Sequence, residues 1–243
     1  MTDDQILSVI QQDQADELVK YIQDNVAKID RLQDKINYWF CYSCQIGSIQ
    51  IVKSLHEKGF VPDLNSIQAL GRTPLACAII KDQKEVISYL MEQRIDWNVK
   101  VTVDGFTYSY LTLAMLSSNF QLAEYLMDKK GFLPEEIDLI LATDGNQLNL
   151  IKKILDKGVS VNAINHYPIK GGEYSALYVA CLLNHIESAK LLLENGADPN
   201  LGIEEESPIF PAITQNNLPL VSLLMEYGAN VTDKVTIHRK NIT

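Results

Sequence analysis

Leu191-Leu192-Leu193-Glu194-Asn195-Gly196-Ala197-Asp198-Pro199-Asn200 returns 32 residues later as Leu223-Leu224-Met225-Glu226-Tyr227-Gly228-Ala229-Asn230. An earlier version, Ile154-Leu155-Asp156-Lys157-Gly158-Val159-Ser160-Val161-Asn162, stands 38 residues before it. A stretch that recurs at a nearly fixed period means stacked copies of one unit rather than a single folded core. Small residues mark one point in each copy: Ser43, Ala78, Ala114, Ala142, Ala180 and Ala212, at intervals of 35, 36, 28, 38 and 32. Eight, nine and twelve residues after each of these anchors comes an apolar set, such as Ile51, Val52 and Leu55 or Leu220, Val221 and Leu224. Those offsets trace one face of a helix with period 3.6, so each copy is read as a helix pair and the fold as all-α.

The start of each copy has its own signature. Gly71-Arg72-Thr73-Pro74-Leu75-Ala76-Cys77-Ala78 is the fullest version; Ser175-Ala176-Leu177-Tyr178-Val179-Ala180 and Ser207-Pro208-Ile209-Phe210-Pro211-Ala212 are looser ones. Opening and closing motifs, locked in phase over roughly 200 residues, resemble those of the ankyrin repeat family; Ala76 stands where the family usually has His. The resemblance implies a solenoid of about seven helix-turn-helix units with short β-hairpin fingers between them. Thr or Ser before the first helix is expected to cap its free N–H groups, with Pro fitting its first turn. Gly59, Gly158, Gly196 and Gly228 fall where the second helix must stop in a left-handed conformation. The anchors are small because neighbouring helices approach most closely there.

Residues 1–231 are read as one repeat domain. Residues 1–33 form a degenerate N-terminal capping repeat with Val9 at the anchor position, 34–231 hold about six further repeats, and 232–243 are a polar C-terminal tail. The fourth interval is the short one, so a finger is expected to be missing around Phe132 to Glu136.

Composition is that of an ordinary globular chain, 47% apolar and 21% charged, with no run approaching a membrane span. The N-terminus begins with acids rather than a basic region, so a cytoplasmic protein is expected. Cys41-x-x-Cys44 lies in the first helix of a repeat, with no second pair to complete four zinc ligands, and is read as packing. A thiol or zinc enzyme using Cys41 and Cys44 is the alternative from a different class. The four histidines are scattered, and Gly171-Gly172 lacks the rest of a phosphate loop. Glu135, Glu136 and Asp138 stand where a helix begins, and acids there suit its dipole. No catalytic, metal or cofactor residue is assigned, and the chain is read as no enzyme.

Net charge is −10 but unevenly spread. From Leu191 to Asp233 there are seven acids and no Lys or Arg; five acids precede the first basic residue, Lys20. Such a surface repels a phosphate backbone, which argues against nucleic acid. By the resemblance, fingers flank the concave binding face of the family. One finger carries Asp104, Phe106 and Tyr108, another Tyr167, Glu173 and Tyr174, and a third connection Glu204, Glu205 and Glu206. Aromatic rings supply contact area and acids select a basic partner. These nine residues are the expected partner-binding set, with Tyr110 a candidate for the core instead. The reading is a monomeric, non-catalytic module that captures a protein, one with a basic surface. An immunity or inhibitor protein and a bacterial effector-type adaptor remain as alternatives.

Overall fold

The computed structural model describes residues 1–26, 31–61, 63–65, 71–202 and 207–230, and within them each anchor closes its helix in the same way. The anchor carbonyl accepts a hydrogen bond from the N–H five residues on, from Gln14 to Val9 through Asn217 to Ala212, at 2.8–3.0 Å in seven copies. One residue before that donor the backbone is left-handed each time, at Asp13, Gly47, Asp82, Ser118, Asn146, Asn184 and Asn216. Glycine and short polar side chains bear that region at least cost. The turn is therefore written into the sequence at a fixed offset from a small residue, and Val9 belongs to the series.

The chain divides into two compact units, residues 1–119 and those from Phe120 onward. The first contains α1 (Asp3–Gln11), α2 (Ala15–Asn25), α3 (Leu32–Ile46), α4 (Ile49–Glu57), α5 (Pro74–Ile80), α6 (Lys84–Met91), the strands β1 (Val101–Val103) and β2 (Phe106–Tyr108), and α7 (Tyr110–Leu116). Its first helices pack in series, α1 on α3, α3 on α5 and α5 on α7, and its second helices do the same from α2 through α4 to α6. The second unit contains α8 (Phe120–Lys130), α9 (Glu136–Asp144), α10 (Leu148–Asp156), β3 (Ile164–Tyr167), β4 (Gly172–Ser175), α11 (Ala176–Leu182), α12 (Ile186–Glu194), α13 (Ile209–Thr214) and α14 (Leu218–Glu226). There α9, α11 and α13 pack in series, and α10 packs on α12.

The six anchors from Ser43 to Ala212 are fully buried, and Ser43 satisfies its hydroxyl by donating to the Trp39 carbonyl at 2.7 Å. The residue after each anchor is buried at Cys44, Ile79, Met115, Thr143 and Cys181, and so is the ninth, at Val52, Ile87, Ala123, Ile151 and Ala189. Thr2, Thr73, Ser109 and Ser175 cap their helices through the side chain, whereas α13 starts after Ser207-Pro208 without such a cap. At Glu135 the backbone N–H donates to the Asp138 carboxylate at 2.8 Å, which opens α9. Residues 131–135 contain no strand, so the short fourth interval is a copy without a finger.

Polar side chains stitch successive copies. Gln83 donates to the Gln45 carbonyl at 3.1 Å, Asn119 to the Asp82 carboxylate at 2.7 Å, and Gln215 to the Leu182 carbonyl at 2.9 Å. Asn162 and Asn200, the last residues of two closing motifs, reach the Gly196 and Gly228 carbonyls at 3.1 and 3.0 Å. His185 sits in its interhelical turn with Nδ1 3.0 Å from the Thr143 carbonyl. Among the described residues no helix is long and apolar enough to cross a membrane.

Candidate protein-binding site

Among the described residues two fingers are formed, and each is an antiparallel hairpin. In the first, Val101 pairs with Tyr108 and Val103 with Phe106 across the turn residues Asp104 and Gly105. Both turn residues have left-handed backbones, the geometry of the tightest hairpins. In the second, four pairs run from Ile164–Ser175 to Tyr167–Gly172.

Asp104 is exposed at the first turn, and Phe106 is 44% exposed, its ring 6.4 Å from that of Tyr108. Tyr108 itself is buried, which corrects its place among the exposed rings: it shares a strand face with Phe106 but stands at the base of the hairpin, paired with the buried Val101, where the chain enters α7. Tyr110 fills the core, as its candidacy suggested; its hydroxyl shares a 2.8 Å hydrogen bond with Thr73, and the Trp97 ring meets it edge-on at 6.1 Å.

The second finger makes the same correction more strongly. Tyr167 is fully buried, and its hydroxyl donates to the carboxylate of Asp144, at the end of α9. Burial first, then that hydrogen bond and the Asp144 charge, pushes the Tyr167 hydroxyl well above the usual tyrosine range. Tyr174 is half-buried, edge-on to Tyr167 at 6.3 Å and stacked on Tyr178 of α11 at 4.8 Å with the planes 6° apart. Glu173 is exposed on the adjoining strand position. Glu204, Glu205 and Glu206 lie outside the described residues.

Three features, each within its own unit, escaped the sequence reading. Tyr178 completes the stack from the helix, not the finger, and the signal was its position two residues before the anchor Ala180. Ile164 and Ile169, both about half exposed, add apolar area to the second finger beyond its aromatic rings. On α3, Tyr38 and Tyr42 stack with centroids 6.3 Å apart, beside a groove of about 550 Å³ lined by Asp3, Leu7, Arg31 and Trp39 among others.

The cysteines belong to the core. All four are buried and free, and burial pushes the Cys44 and Cys181 thiols upward, away from the thiolate that reactive cysteines need. Cys41 is also pushed up, first by its hydrogen bond with Cys77 and then by burial. The described residues contain no group of three or more metal-ligating side chains placed to hold an ion.

Known proteins place this arrangement. A family model described as ankyrin repeats (3 copies) matches residues 7–101, 40–138 and 139–235. A glycerophosphocholine phosphodiesterase of Candida albicans is 28% identical over 199 residues, 76% of this chain and 17% of that protein. A putative ankyrin repeat protein of fowlpox virus is 38% identical over 93 residues, 37% of this chain and 15% of its own length. A putative ankyrin repeat protein of Rickettsia bellii is 26% identical over 172 residues, 70% of this chain and 42% of its own. The chain thus spans less than half the length of each of these relatives. Among solved structures, an ankyrin repeat domain from Acinetobacter baumannii is similar in fold, with a TM-score of 0.60 at 22% identity over 79% of this chain and 99% of that one. So is a chain in the complex of a Bdellovibrio bacteriovorus predatory endopeptidase with an immunity protein, with a TM-score of 0.61 at 19% identity over 77% and 96% of the two chains.

Proposed function

This chain belongs to the ankyrin repeat family, and from that premise we propose that it is a non-catalytic module that captures a basic protein on its second finger, β3–β4, and on α11 beside it. The observation that carries the reading is the second finger: Tyr174 and Tyr178 are stacked, backed by the buried Tyr167 and its hydrogen bond to Asp144, with Glu173 exposed at the next strand position. Rings already fixed in place lose little entropy on binding, so their contact area contributes nearly in full. Acids around them speed the approach of a basic partner and penalise an acidic one. Charge along the chain supports the same partner, because no Lys or Arg occurs from Leu191 to Asn230.

A second reading rests on that acidic run. A dedicated inhibitor would use it to cover a basic site on a toxin or enzyme, taking the place of phosphate. Both readings meet one test: affinity capture from the native lysate with the wild-type chain, with Tyr174→Ala, with Glu173→Lys, and with Glu204→Lys, Glu205→Lys and Glu206→Lys combined. A basic protein held by the wild type and lost from the variants is the expected result, and loss of that protein's own activity in the complex identifies an inhibitor. An acidic partner, or one retained equally by every variant, would sink the proposal.

A further inference from the structure

Each copy in a repeat stack buries one face against its predecessor and one against its successor. The positions one and nine after the anchor record the second face, and both are buried in the five anchored copies from Ser43 to Ala180. In the last copy they hold Ile213, 38% exposed, and Val221, half-buried. Met225, counterpart of the buried Leu193, is 54% exposed. These side chains stayed apolar although no described residue covers them. The other end of the chain differs: eight residues after the anchor, where copies from Ile51 to Leu220 are buried, the first copy has the exposed Glu17. The first copy carries an acid at that position, and the last keeps exposed apolar side chains on its far face.

The sequence names a matching occupant. Residues 231–243, outside the described part, read Val-Thr-Asp-Lys-Val-Thr-Ile-His-Arg-Lys-Asn-Ile-Thr. They bring Val235, Ile237 and Ile242 together with Lys234, Arg239 and Lys240, the first basic residues after Lys190. The copies they would meet carry the exposed acids Glu194, Asp198 and Glu226. Apolar and basic on one side, apolar and acidic on the other, the two surfaces are complementary. A two-fold contact with a second copy would instead bring Glu226 toward the acids of its mate. A further repeat lacks its clamp: Thr232 stands where Asn162 and Asn200 reach into the copy that follows. We propose that residues 231–243 dock on the end face of α13 and α14 and close the stack.

Hydrogen exchange on the full chain tests this. Ile237→Glu is expected to speed amide exchange in α13 and α14 about tenfold, as local opening of an uncovered end would, and to leave α9 and α10 unchanged. Ile237→Leu restores the wild-type rates, and Met225→Glu combined with Ile237→Glu exchanges no faster than Met225→Glu alone, because both break one contact. Unchanged exchange in Ile237→Glu overturns the proposal. So does a wild-type dimer in sedimentation that Met225→Glu dissociates, which would give the face to a second copy.

Discussion

The finger β1–β2 leads into a buried tyrosine, Tyr110 at the start of α7, and the finger β3–β4 carries one, Tyr167; each is tied to the first helix of an earlier copy, in two different ways. Tyr110 shares its hydrogen bond with the neutral hydroxyl of Thr73, which also caps α5; Tyr167 donates to the charged Asp144 at the end of α9. A neutral pair of this kind contributes about 0.5–1.5 kcal/mol, a charged acceptor about 1.5–3. The second finger also has four strand pairs against three, and its rings continue through Tyr174 onto Tyr178. The difference shows how one repeat pattern yields a short finger anchored lightly and a longer one held by charge, with its aromatic surface fixed before any partner arrives.

The comparison breaks most visibly if the hydroxyls are removed. Tyr167→Phe leaves Asp144 without its donor and is expected to cost about 1–3 kcal/mol, against about 0.5–1.5 for Tyr110→Phe. Urea unfolding followed separately by Tyr fluorescence and by far-UV circular dichroism measures both, since a repeat array need not unfold in one step. Equal losses would mean that the charge on Asp144 adds nothing.

A smaller effect is expected with pH. Both hydroxyls are held above the ordinary range, Tyr167 by burial, the hydrogen bond and the charge of Asp144, and Tyr110 chiefly by burial. A raised folded value means the native state keeps a proton that the unfolded chain releases. The stability is therefore intact below the unfolded value of about 10 and is lost as pH climbs through the folded one. Melting temperatures between pH 8 and 11 should fall for the wild type and fall less for Tyr167→Phe. An unaltered slope in that variant would show that Tyr167 does not carry the alkaline loss.

How far the sequence could be read follows from how local each requirement is. The small anchors, the capping residues Thr73, Ser109 and Ser175 and the left-handed turn residues answer constraints set within five residues, so their pattern was legible. The place of Tyr167 was not, because its burial depends on Asp144, 23 residues earlier in the preceding copy; composition alone made it an exposed ring. Tyr178 was within reach. Two residues before the anchor, earlier copies have Cys41, Ala76, Thr112 and Ile140, and the change to Tyr178 and then Phe210 marks where that row of first-helix positions becomes aromatic. Charge was legible as a count but not as a surface, since three of the acids it singled out, Glu204 to Glu206, fall outside the described residues.

Gly172 gives the finest probe of the difference between the fingers. A Cβ built there would stand 2.6 Å from the Tyr174 ring, closer than any carbon contact allows, while its backbone conformation is one other residues can adopt. The obstacle is the end of a side chain, so Gly172→Ala is relieved by swinging the ring away rather than by moving the strand. The expected cost in stability is at the low end of overpacking, about 1 kcal/mol. The stack on Tyr178 is lost with the swing, and near-UV circular dichroism should report it while the far-UV spectrum stays the same. If the affinity for the captured partner falls as far as in Tyr174→Ala, the ring's position is what the partner reads. If affinity holds while the near-UV signal changes, the partner is recognised by charge alone, and the longer finger owes its rings to its own stability.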